Sequence, residues 1–554
     1  MTDARSNGPS RQVMRSSAVM AAGTIASRVT GILRDIAAAA ALGFFVVADA
    51  FSLGNSLPTI VYILVIGGAL NAVFVPQLVR RMKDDVDDGK AYADRLLTAA
   101  GLGLVILSVI AVIAAPLIVD LYTPDDYPKA AFDLAVAFAR LCLPQILFYG
   151  LYTMLTQVLN ARGHFGLPMF APIANNLVAI GTFTLFIAVA GTSAAADGAL
   201  SSSEILILGI GTTLGVVIQA LILIPVLIRH GYGWRPRFDW RNGGLGKAGT
   251  LALWTIGLVL VNQAAYVVIT RLATQANVDA AAAGLTAAGL TTYQKAHLVF
   301  MLPHSVITIS LVTAMLPALS RLAHDGEHRR VGLDIAATMR LVAALVIPVA
   351  AILLVLGSAV SSLLFGYGAA TGAQASLMGE IVSVFMLGLL PFTLFYVLLR
   401  GFYALEDTRT PFWITVGFSL AWLAMAVPLF RMVGPGGPQV AALALAYGLS
   451  YWLGCLAAWL WLRHRLKGLD GRRTLWAISR MLICGLAAVL VMVLLRSLLM
   501  GVFGDQPDRL QTVVIVCLAS LLGLATYLAG ALLLRVKEVR DAMGLVNQRL
   551  GAGR

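Results

Sequence analysis

Five cationic side chains lie inside stretches of this chain that otherwise have the composition of membrane-spanning helices: Arg28, Arg34, Arg140, Arg271 and Lys295. A charged side chain at the centre of a bilayer costs about 2.5–3.5 kcal/mol on the scale derived from insertion experiments, so such residues usually face water or a partner. Because few acidic residues accompany these five, they predict a hydrated cavity that binds an anion. We therefore expect a transporter of a negatively charged substrate.

The first predicted span carries two of these arginines in the segment SRVTGILRD, residues 27–35. At about 100° per residue, Arg28 and Asp35 share one helix face, whereas Arg34 points about 120° away from Arg28 unless Gly31 bends the helix. Guanidinium groups match the geometry of phosphate oxygens, so both arginines are predicted to bind substrate. The alternative for Arg34 is a structural ion pair with Asp35 or Asp49.

Asp49 follows the first span, near the outer end of the helix pair. Two roles fit this position. Asp49 gates the cavity by pairing with an arginine, or it caps the N-terminus of the second span, since Asp is a favoured N-cap residue.

The remaining intramembrane cations also have two interpretations each. Arg140 lines the cavity or snorkels to the outer interface, and snorkelling is the expectation for Arg271. Lys295 and His297 lie about 200° apart on a regular helix and do not face the same cavity. His297 either couples protons or packs in the protein interior.

Composition predicts an all-α polytopic membrane protein with about fourteen transmembrane helices. Of the 554 residues, 59% are hydrophobic and 12% are charged, whereas soluble domains carry about 25% charged residues. Many apolar runs reach the roughly 20 residues that a helix needs to cross a bilayer core. Helices are expected because each segment must satisfy its own backbone hydrogen bonds in lipid.

The net charge of +13 has a topological explanation. Most of the 40 Lys and Arg residues fall in alternate loops, so the positive-inside rule places both termini in the cytoplasm. The basic excess therefore predicts membrane orientation and no nucleic-acid partner. The four cysteines lie within predicted helices without a CxxC pair, so neither a disulfide framework nor a metal site is expected.

The chain repeats itself at an offset of about 244 residues. Leu57-Pro58 corresponds to Leu302-Pro303, and the Pro-x-aromatic segment at Pro168 corresponds to the one at Pro411. An even number of helices separates the copies, so the repeats have the same orientation and predict two parallel six-helix lobes around a central cavity. Two helices at the C-terminus are left over.

This organisation divides the chain into six predicted parts. They are a cytoplasmic tail (residues 1–15), an N-lobe of helices 1–6 (16–230), a cytoplasmic linker (231–248), a C-lobe of helices 7–12 (249–465), the pair of helices 13–14 (475–534) and a second cytoplasmic tail (535–554).

Several motifs together resemble the MurJ/MviN family of lipid II flippases, within the superfamily that also contains multidrug exporters. They are residues 27–35, Ala48-Asp49-Ala50-Phe51, Leu57-Pro58, Phe74-Val75-Pro76, Leu159-Asn160-Ala161, Pro168-x-Phe170-Ala171-Pro172 and Gly401-Phe402-Tyr403 with Asp407, Thr410 and Pro411. Each motif alone is weak, but the set extends along nearly the whole chain.

The resemblance implies a function, a location and partners. The chain would be no enzyme but would move undecaprenyl-diphosphate-linked peptidoglycan precursor (lipid II) from the inner to the outer leaflet of the bacterial plasma membrane by alternating access. Lipid II and membrane lipids are the implied partners, with proteins of cell-wall synthesis as further ones. No cofactor is expected, and a coupling ion or the membrane potential would supply the energy.

The resemblance also assigns residues. Substrate contacts carry over to Arg28, Arg34 and Arg140, pairing or gating to Asp35 and Asp49, and a lipid-tail groove to helices 13 and 14.

Some positions depart from the family pattern. Ser56 and Tyr62 stand where family members carry basic residues, and Leu298 stands where they carry arginine. The cavity is therefore expected to be less cationic, with Lys295 as compensation. Ser56, Tyr62, His297 and Asn175 are expected as its polar lining.

Three alternatives stay open at this point. One is a flippase for another lipid-linked saccharide, and the second is a multidrug exporter of the MATE type, although exporters of organic cations need buried carboxylates. The third is a membrane enzyme acting on polyprenyl phosphates, which needs clustered acids; Asp84-Asp85 and Asp125-Asp126 are the close acidic pairs, and both fall in predicted loops.

Overall fold

A computed structural model describes residues 8–64, 89–162, 166–196, 198–239, 249–466, 468–504 and 507–541. These residues form helices and short connections, and no strand occurs among them. The all-α class is confirmed. In chain order the helices are α1 (Gly8–Leu42), α2 (Val46–Tyr62), α3 (Lys90–Ile113), α4 (Ala115–Tyr122), α5 (Lys129–Cys142), α6 (Gln145–Ala161), α7 (Gly166–Ala190), α8 (Ser202–Leu221), α9 (Leu223–Arg229), α10 (Gly249–Ala282), α11 (Leu290–Pro303), α12 (Ile309–His324), α13 (His328–Phe365), α14 (Gly372–Met386), α15 (Leu389–Ala404), α16 (Arg409–Met432), α17 (Gly437–Arg465), α18 (Gly471–Phe503) and α19 (Arg509–Leu533).

The described residues contain eleven helical segments that are long and apolar enough to cross a membrane, or twelve when the bent pair α14 and α15 counts as one span. The chain is therefore a multi-pass membrane protein, while the number of about fourteen is not confirmed. Two predicted spans fall outside this count. They are the first span, in α1, and the second, which begins with α2. Helix α2 ends at Tyr62, and the motif Phe74-Val75-Pro76 lies outside the described residues.

The chain forms two compact units. The first comprises residues 1–267 with 367–370, and the second comprises residues 268–366 and 371–554. The division falls inside α10, so the first half of this helix belongs with the first unit. The limits of the predicted lobes, 16–230 and 249–465, and the central cavity stay predictions.

Prolines interrupt several of the helices. Pro144 lies between α5 and α6, and Pro303 ends α11 immediately before a π-helical turn at His304–Thr308. Proline has this effect because it removes one backbone donor and its ring clashes with the preceding turn. Gly31 produces no break, since α1 runs through it. Because the helix is continuous there, Arg28 and Arg34 keep the angular separation of a regular helix, about 120°.

The core of the first unit includes a close contact between α2 and α5. At Gly54 an added Cβ would lie 2.7 Å from the Cβ of Phe138, so only a glycine lets the two backbones approach this far. The Phe51 ring packs edge-on against Phe138 and Phe183, with centroids 5.2 and 5.8 Å away. This packing holds α2 in place beside α5 and α7.

The second unit is arranged around α13, which packs against α14, α15 and α18. Helices α14 and α15 meet at a 50° bend. An added Cβ at Gly388, in this bend, would lie 2.5 Å from the Cα of Gly448 in α17. Small residues on both helices therefore permit the close approach, as is usual for helices packed within membranes.

Candidate substrate-binding site

Helix α1 has an apolar stripe on one of its faces. Ile25, Val29 and Leu33 recur every four residues, and their exposed fractions are 64%, 52% and 50%. Apolar side chains this exposed on a membrane helix are suited to contact lipid. Arg28 lies about 100° around the helix from the middle of this stripe, on the exposed side of α1.

Asn176 connects the polar side of α1 to α7. Its amide nitrogen donates to the carbonyl oxygen of Ser27 at 3.1 Å and to Oγ1 of Thr30 at 3.0 Å. Its amide oxygen accepts from Nη1 of Arg34 at 3.2 Å. The Asn176 side chain is 5% exposed, so these bonds satisfy a buried amide and fix the orientation of Arg34 at the same time.

Arg34 also forms the ion pair that the sequence raised as an alternative. Its Nη2 lies 3.2 Å from Oδ2 of Asp35, and the Asp35 side chain is 9% exposed. The Arg34 side chain is 36% exposed, so its remaining N–H donors are accessible to a ligand. Arg34 is therefore held by Asp35 and Asn176 and is also open on one side.

Arg28 is in a different situation. Its side chain is exposed, and among the residues that the structure describes no hydrogen bond or ion pair engages it. Since Arg34 pairs with Asp35, Arg28 supplies an uncompensated positive charge on this part of α1. A guanidinium group in this position is suited to bind an anion.

Replacing Asn176 with Ala is expected to loosen α1 from α7. It removes two donated bonds and one accepted bond, each worth about 0.5–1.5 kcal/mol net. The unfolding temperature in detergent should fall by several degrees. Asn262→Ala is the matched control, because the Asn262 amide bonds only the Leu258 carbonyl of its own helix and is exposed. Equal unfolding temperatures for the two variants would contradict this role of Asn176.

Asp49 lies in the first turn of α2, where Phe45 is the N-cap residue. The proposed N-cap role is therefore wrong, although a carboxylate in the first turn still interacts favourably with the helix dipole. Asp49 is 2% exposed. Burial and, to a smaller extent, the negative charge of Asp49 raise the pKa of Tyr127, which lies in the connection between α4 and α5. The gating role of Asp49 stays a prediction.

The expected polar lining residues of the first unit each have a hydrogen-bond partner. Ser56 donates to the carbonyl of Ser52 at 2.6 Å, one turn earlier in the same helix. Tyr62 donates from Oη to Oγ1 of Thr153 at 2.7 Å, which ties α2 to α6. Asn175 donates to Oε1 of Gln219 at 3.0 Å and so ties α7 to α8. The sequence did not indicate Asn176 and Gln219, because nothing local marks them.

The other three intramembrane cations lie on other helices. Arg140 is exposed in the last turn of α5, where the C-terminal end of the helix dipole favours a cation. Lys295 in α11 and Arg271 in α10 belong to the second unit and are half-buried.

His297 lies in an aromatic cluster of the second unit. Its Nε2 is 3.3 Å from Oη of Tyr447, and its ring packs beside Tyr293, Phe300 and Phe385 at centroid distances of 6.4, 5.6 and 5.7 Å. These are the contacts of a packing histidine, which was one of its two interpretations.

A buried charged cluster in the second unit was missed from the sequence. Arg340 in α13 is 6% exposed, and its Nε donates to Oε1 of Glu538 at 2.7 Å. The sequence did not indicate this pair, because the two partners are 198 residues apart and no local pattern relates them. Among the described residues, no group of His, Cys, Asp and Glu side chains is arranged to hold a metal ion.

Comparison with known proteins now decides the family. The model of the family described as "Lipid II flippase MurJ" matches residues 38–509, which is most of the chain. The chain belongs to the MurJ family. Family membership makes it a transporter and no enzyme, and the MurJ/MviN resemblance seen in the motifs is confirmed.

Named relatives of the MurJ family agree with this assignment. The probable lipid II flippase MurJ of Vibrio cholerae is 26% identical over 547 residues, covering 96% of this chain and 98% of that protein. The probable lipid II flippase MurJ of Rhizobium tropici is 28% identical over 453 residues, covering 80% of this chain and 79% of the relative.

Solved structures show the MurJ fold. A lipid II flippase MurJ in an inward closed conformation matches with a TM-score of 0.72 at 19% identity, covering 93% of this chain and 98% of that one. An inward-facing MATE-family multidrug transporter of the MOP superfamily matches with a TM-score of 0.59 at 14% identity, covering 80% of this chain and 96% of that one.

Proposed function

We propose that this chain flips lipid II, the undecaprenyl-diphosphate-linked peptidoglycan precursor, from the inner to the outer leaflet by alternating access. The observation that carries the proposal is the pair of arginines on α1: Arg28 is exposed, and Arg34, about 120° around the helix, is held in place by Asn176. These arginines lie in a chain of the MurJ family, several of whose named members are lipid II flippases.

The two arginines of α1, Arg28 and Arg34, suit a diphosphate. A diphosphate carries several ionised oxygens, and hydrogen bonds between an arginine and such oxygens are charge-assisted and short. Arg28 provides the uncompensated charge, and Arg34 provides further donors from a fixed position. Arg140 and Lys295 are proposed as additional cationic contacts along the path. Such groups reduce the cost of moving ionised phosphate out of water.

An apolar groove in the second unit suits the lipid tail. Its volume is about 420 Å³, and it lies among α13, α15, α17 and α18. Two tryptophans and several leucines line it: Trp452, Trp459, Leu453, Leu456, Leu475 and Leu482. A polyprenyl segment laid here would keep contact with apolar surface while its head group crosses the membrane. Of the two C-terminal helices, α18 is the one that lines this groove.

The direction of transport has an electrostatic contribution. We place the chain in the bacterial plasma membrane with both termini in the cytoplasm, as the distribution of Lys and Arg indicates. A potential that is negative inside favours outward movement of a negative charge by about 2.3 kcal/mol per charge per 100 mV. The membrane potential is therefore proposed to assist the loaded carrier. Partners from cell-wall synthesis are proposed at the basic cytoplasmic loops.

The deciding experiment expresses this chain in a bacterium whose own lipid II flippase can be depleted. Growth should be restored, and lipid II should become accessible to an enzyme added outside the cells. Lipid II that stays in the inner leaflet while the chain is present at normal amounts in the membrane would overturn the proposal. Export of a different lipid-linked saccharide under the same conditions would support the rival flippase function.

A further inference from the structure

A second basic site lies far along the chain from α1, in the second unit. A pocket of about 570 Å³ opens where α18 begins and where the chain leaves α19. Five of its lining residues are cationic: Arg472, Arg473 and Arg480 from α18, with Arg535 and Lys537 after α19. Clustered cations of this kind near a membrane boundary are typical of sites for anionic head groups.

The two acidic residues of this pocket, Asp470 and Glu538, already form ion pairs within the protein. Glu538 accepts a hydrogen bond from Nε of the buried Arg340 at 2.7 Å. Oδ2 of Asp470 lies 3.5 Å from Nη1 of Arg340, which also donates to Oγ1 of Thr474 at 3.0 Å. Arg340 therefore joins both walls of the pocket. Nη1 of Arg473 lies 3.9 Å from Oδ2 of Asp470, so Arg340 and Arg473 together balance the charges of the two carboxylates.

The remaining cations of the pocket, Arg472, Arg480, Arg535 and Lys537, are consequently in excess. Arg480 donates from Nη1 to the carbonyl oxygen of Leu534 at 3.2 Å and so satisfies the C-terminal end of α19. Arg472, Arg535 and Lys537 are exposed. Asp470, the N-cap residue of α18, makes no capping hydrogen bond with its side chain, so the N-terminal N–H groups of this long helix add positive potential here.

The backbone after α19 brings Arg535 to the mouth of the pocket at a conformational cost. Arg535 has a φ of 53°, in the left-handed region that usually favours glycine at the end of a helix. Its N–H donates to the carbonyl of Leu532 at 3.1 Å, and the N–H of Val536 donates to the carbonyl of Ala531 at 2.8 Å. The turn is therefore well defined although an arginine occupies it.

Apolar side chains beside the pocket suit a lipid more than a soluble anion. Trp476 lines the pocket and is 59% exposed, one turn into α18. Leu475 and Leu533 are 53% and 81% exposed on the same two helices. Tryptophan is enriched at the boundary between head groups and acyl chains.

We propose that this pocket binds the phosphate of an anionic phospholipid in the leaflet on the side of the chain termini. The phosphate contacts Arg472, Arg535 and Lys537, and the acyl chains lie along Trp476 and Leu533. The site is separate in sequence from the arginines of α1 and does not depend on flipping. It would anchor the C-terminal helix pair to the surface of the bilayer.

The test measures binding of phosphatidylglycerol to the full-length protein in detergent, by the rise in unfolding temperature during a lipid titration. Phosphatidylcholine and inorganic phosphate are titrated in parallel. We expect phosphatidylglycerol alone to stabilise the protein, and the double variant Arg535→Gln/Lys537→Gln to need about tenfold more of it. The control Arg229→Gln/Arg329→Gln removes two exposed cations elsewhere and should bind as the unaltered protein does.

Three results would overturn the site. They are unchanged phosphatidylglycerol binding in the double variant, an equal loss in the control, and equal stabilisation by inorganic phosphate, which would indicate a site for soluble anions. Arg472→Gln changes the opposite wall and keeps the test decisive if the double variant does not fold. It too should weaken phosphatidylglycerol binding, and normal binding by this variant would contradict the proposal.

Discussion

Replacing Arg28 with Ala is expected to reduce lipid II flipping by about ten- to a hundredfold. Arg28 carries an uncompensated positive charge on α1, and it is exposed without a partner among the described residues. A hydrogen bond to a charged group is worth about 1.5–3 kcal/mol, and each 1.4 kcal/mol is a factor of ten in binding. The measurement is the rate at which lipid II becomes accessible outside depleted cells that express each variant.

Two further variants separate the role of Arg28 from a general loss of charge. Arg28→Lys keeps the charge without the planar fork and should retain part of the activity. Arg329→Ala removes an exposed arginine near the start of α13 and should leave flipping unchanged. If Arg28→Ala flips lipid II at the normal rate with normal expression, Arg28 does not bind the diphosphate.

Replacing Arg340 with Met is expected to cause the largest loss of stability. The Arg340 side chain is 7% exposed and pairs with Glu538 and Asp470. Removing one partner of a buried ion pair costs about 3–5 kcal/mol, because the remaining charge is left without compensation. The unfolding temperature of the purified protein should fall sharply, because α13 loses its ion pairs with Asp470, before α18, and with Glu538, after α19.

A surface ion pair on the same helix provides the control. Arg330 lies 2.7 Å from Glu327 and its side chain is 69% exposed, so Arg330→Met should cost less than about 1 kcal/mol. Adding Glu538→Gln to Arg340→Met should recover part of the loss, since the pair then contains no unpaired Glu538 charge. Independent, additive effects of the two substitutions would show that Arg340 and Glu538 do not act as a pair.

The angular relation of the two arginines in α1 was predictable from the sequence. A regular helix separates Arg28 from Arg34 by about 120°, and α1 runs without interruption from Gly8 to Leu42. The sequence also raised the pairing of Arg34 with Asp35, which is its neighbour along the chain. Both are local properties, because helix periodicity and nearest neighbours depend only on residue order.

The partners that complete each site were not predictable in this way. Asn176 is 142 residues from Arg34, and Glu538 is 198 residues from Arg340. His297 illustrates the same limit, since a histidine on a helix face is compatible with proton coupling or packing until Tyr447 and the surrounding rings are known. Contacts between helices depend on how whole elements pack, and hydropathy carries no information about individual long-range pairs.

Residue order alone therefore determined that this chain is helical, crosses a membrane several times, carries arginines inside a span and belongs with the lipid II flippases. Those properties follow from hydropathy, helix periodicity and local motifs, and each of these depends on the residues of one segment alone. Tertiary structure decided which arginines are held and which are open: Asn176 and Asp35 hold Arg34, Arg340 pairs with Glu538 of the C-terminal pocket, and Arg28 stays accessible. The physical reason is that the burial and pairing of a charge depend on which distant side chains the packed helices bring within hydrogen-bonding distance.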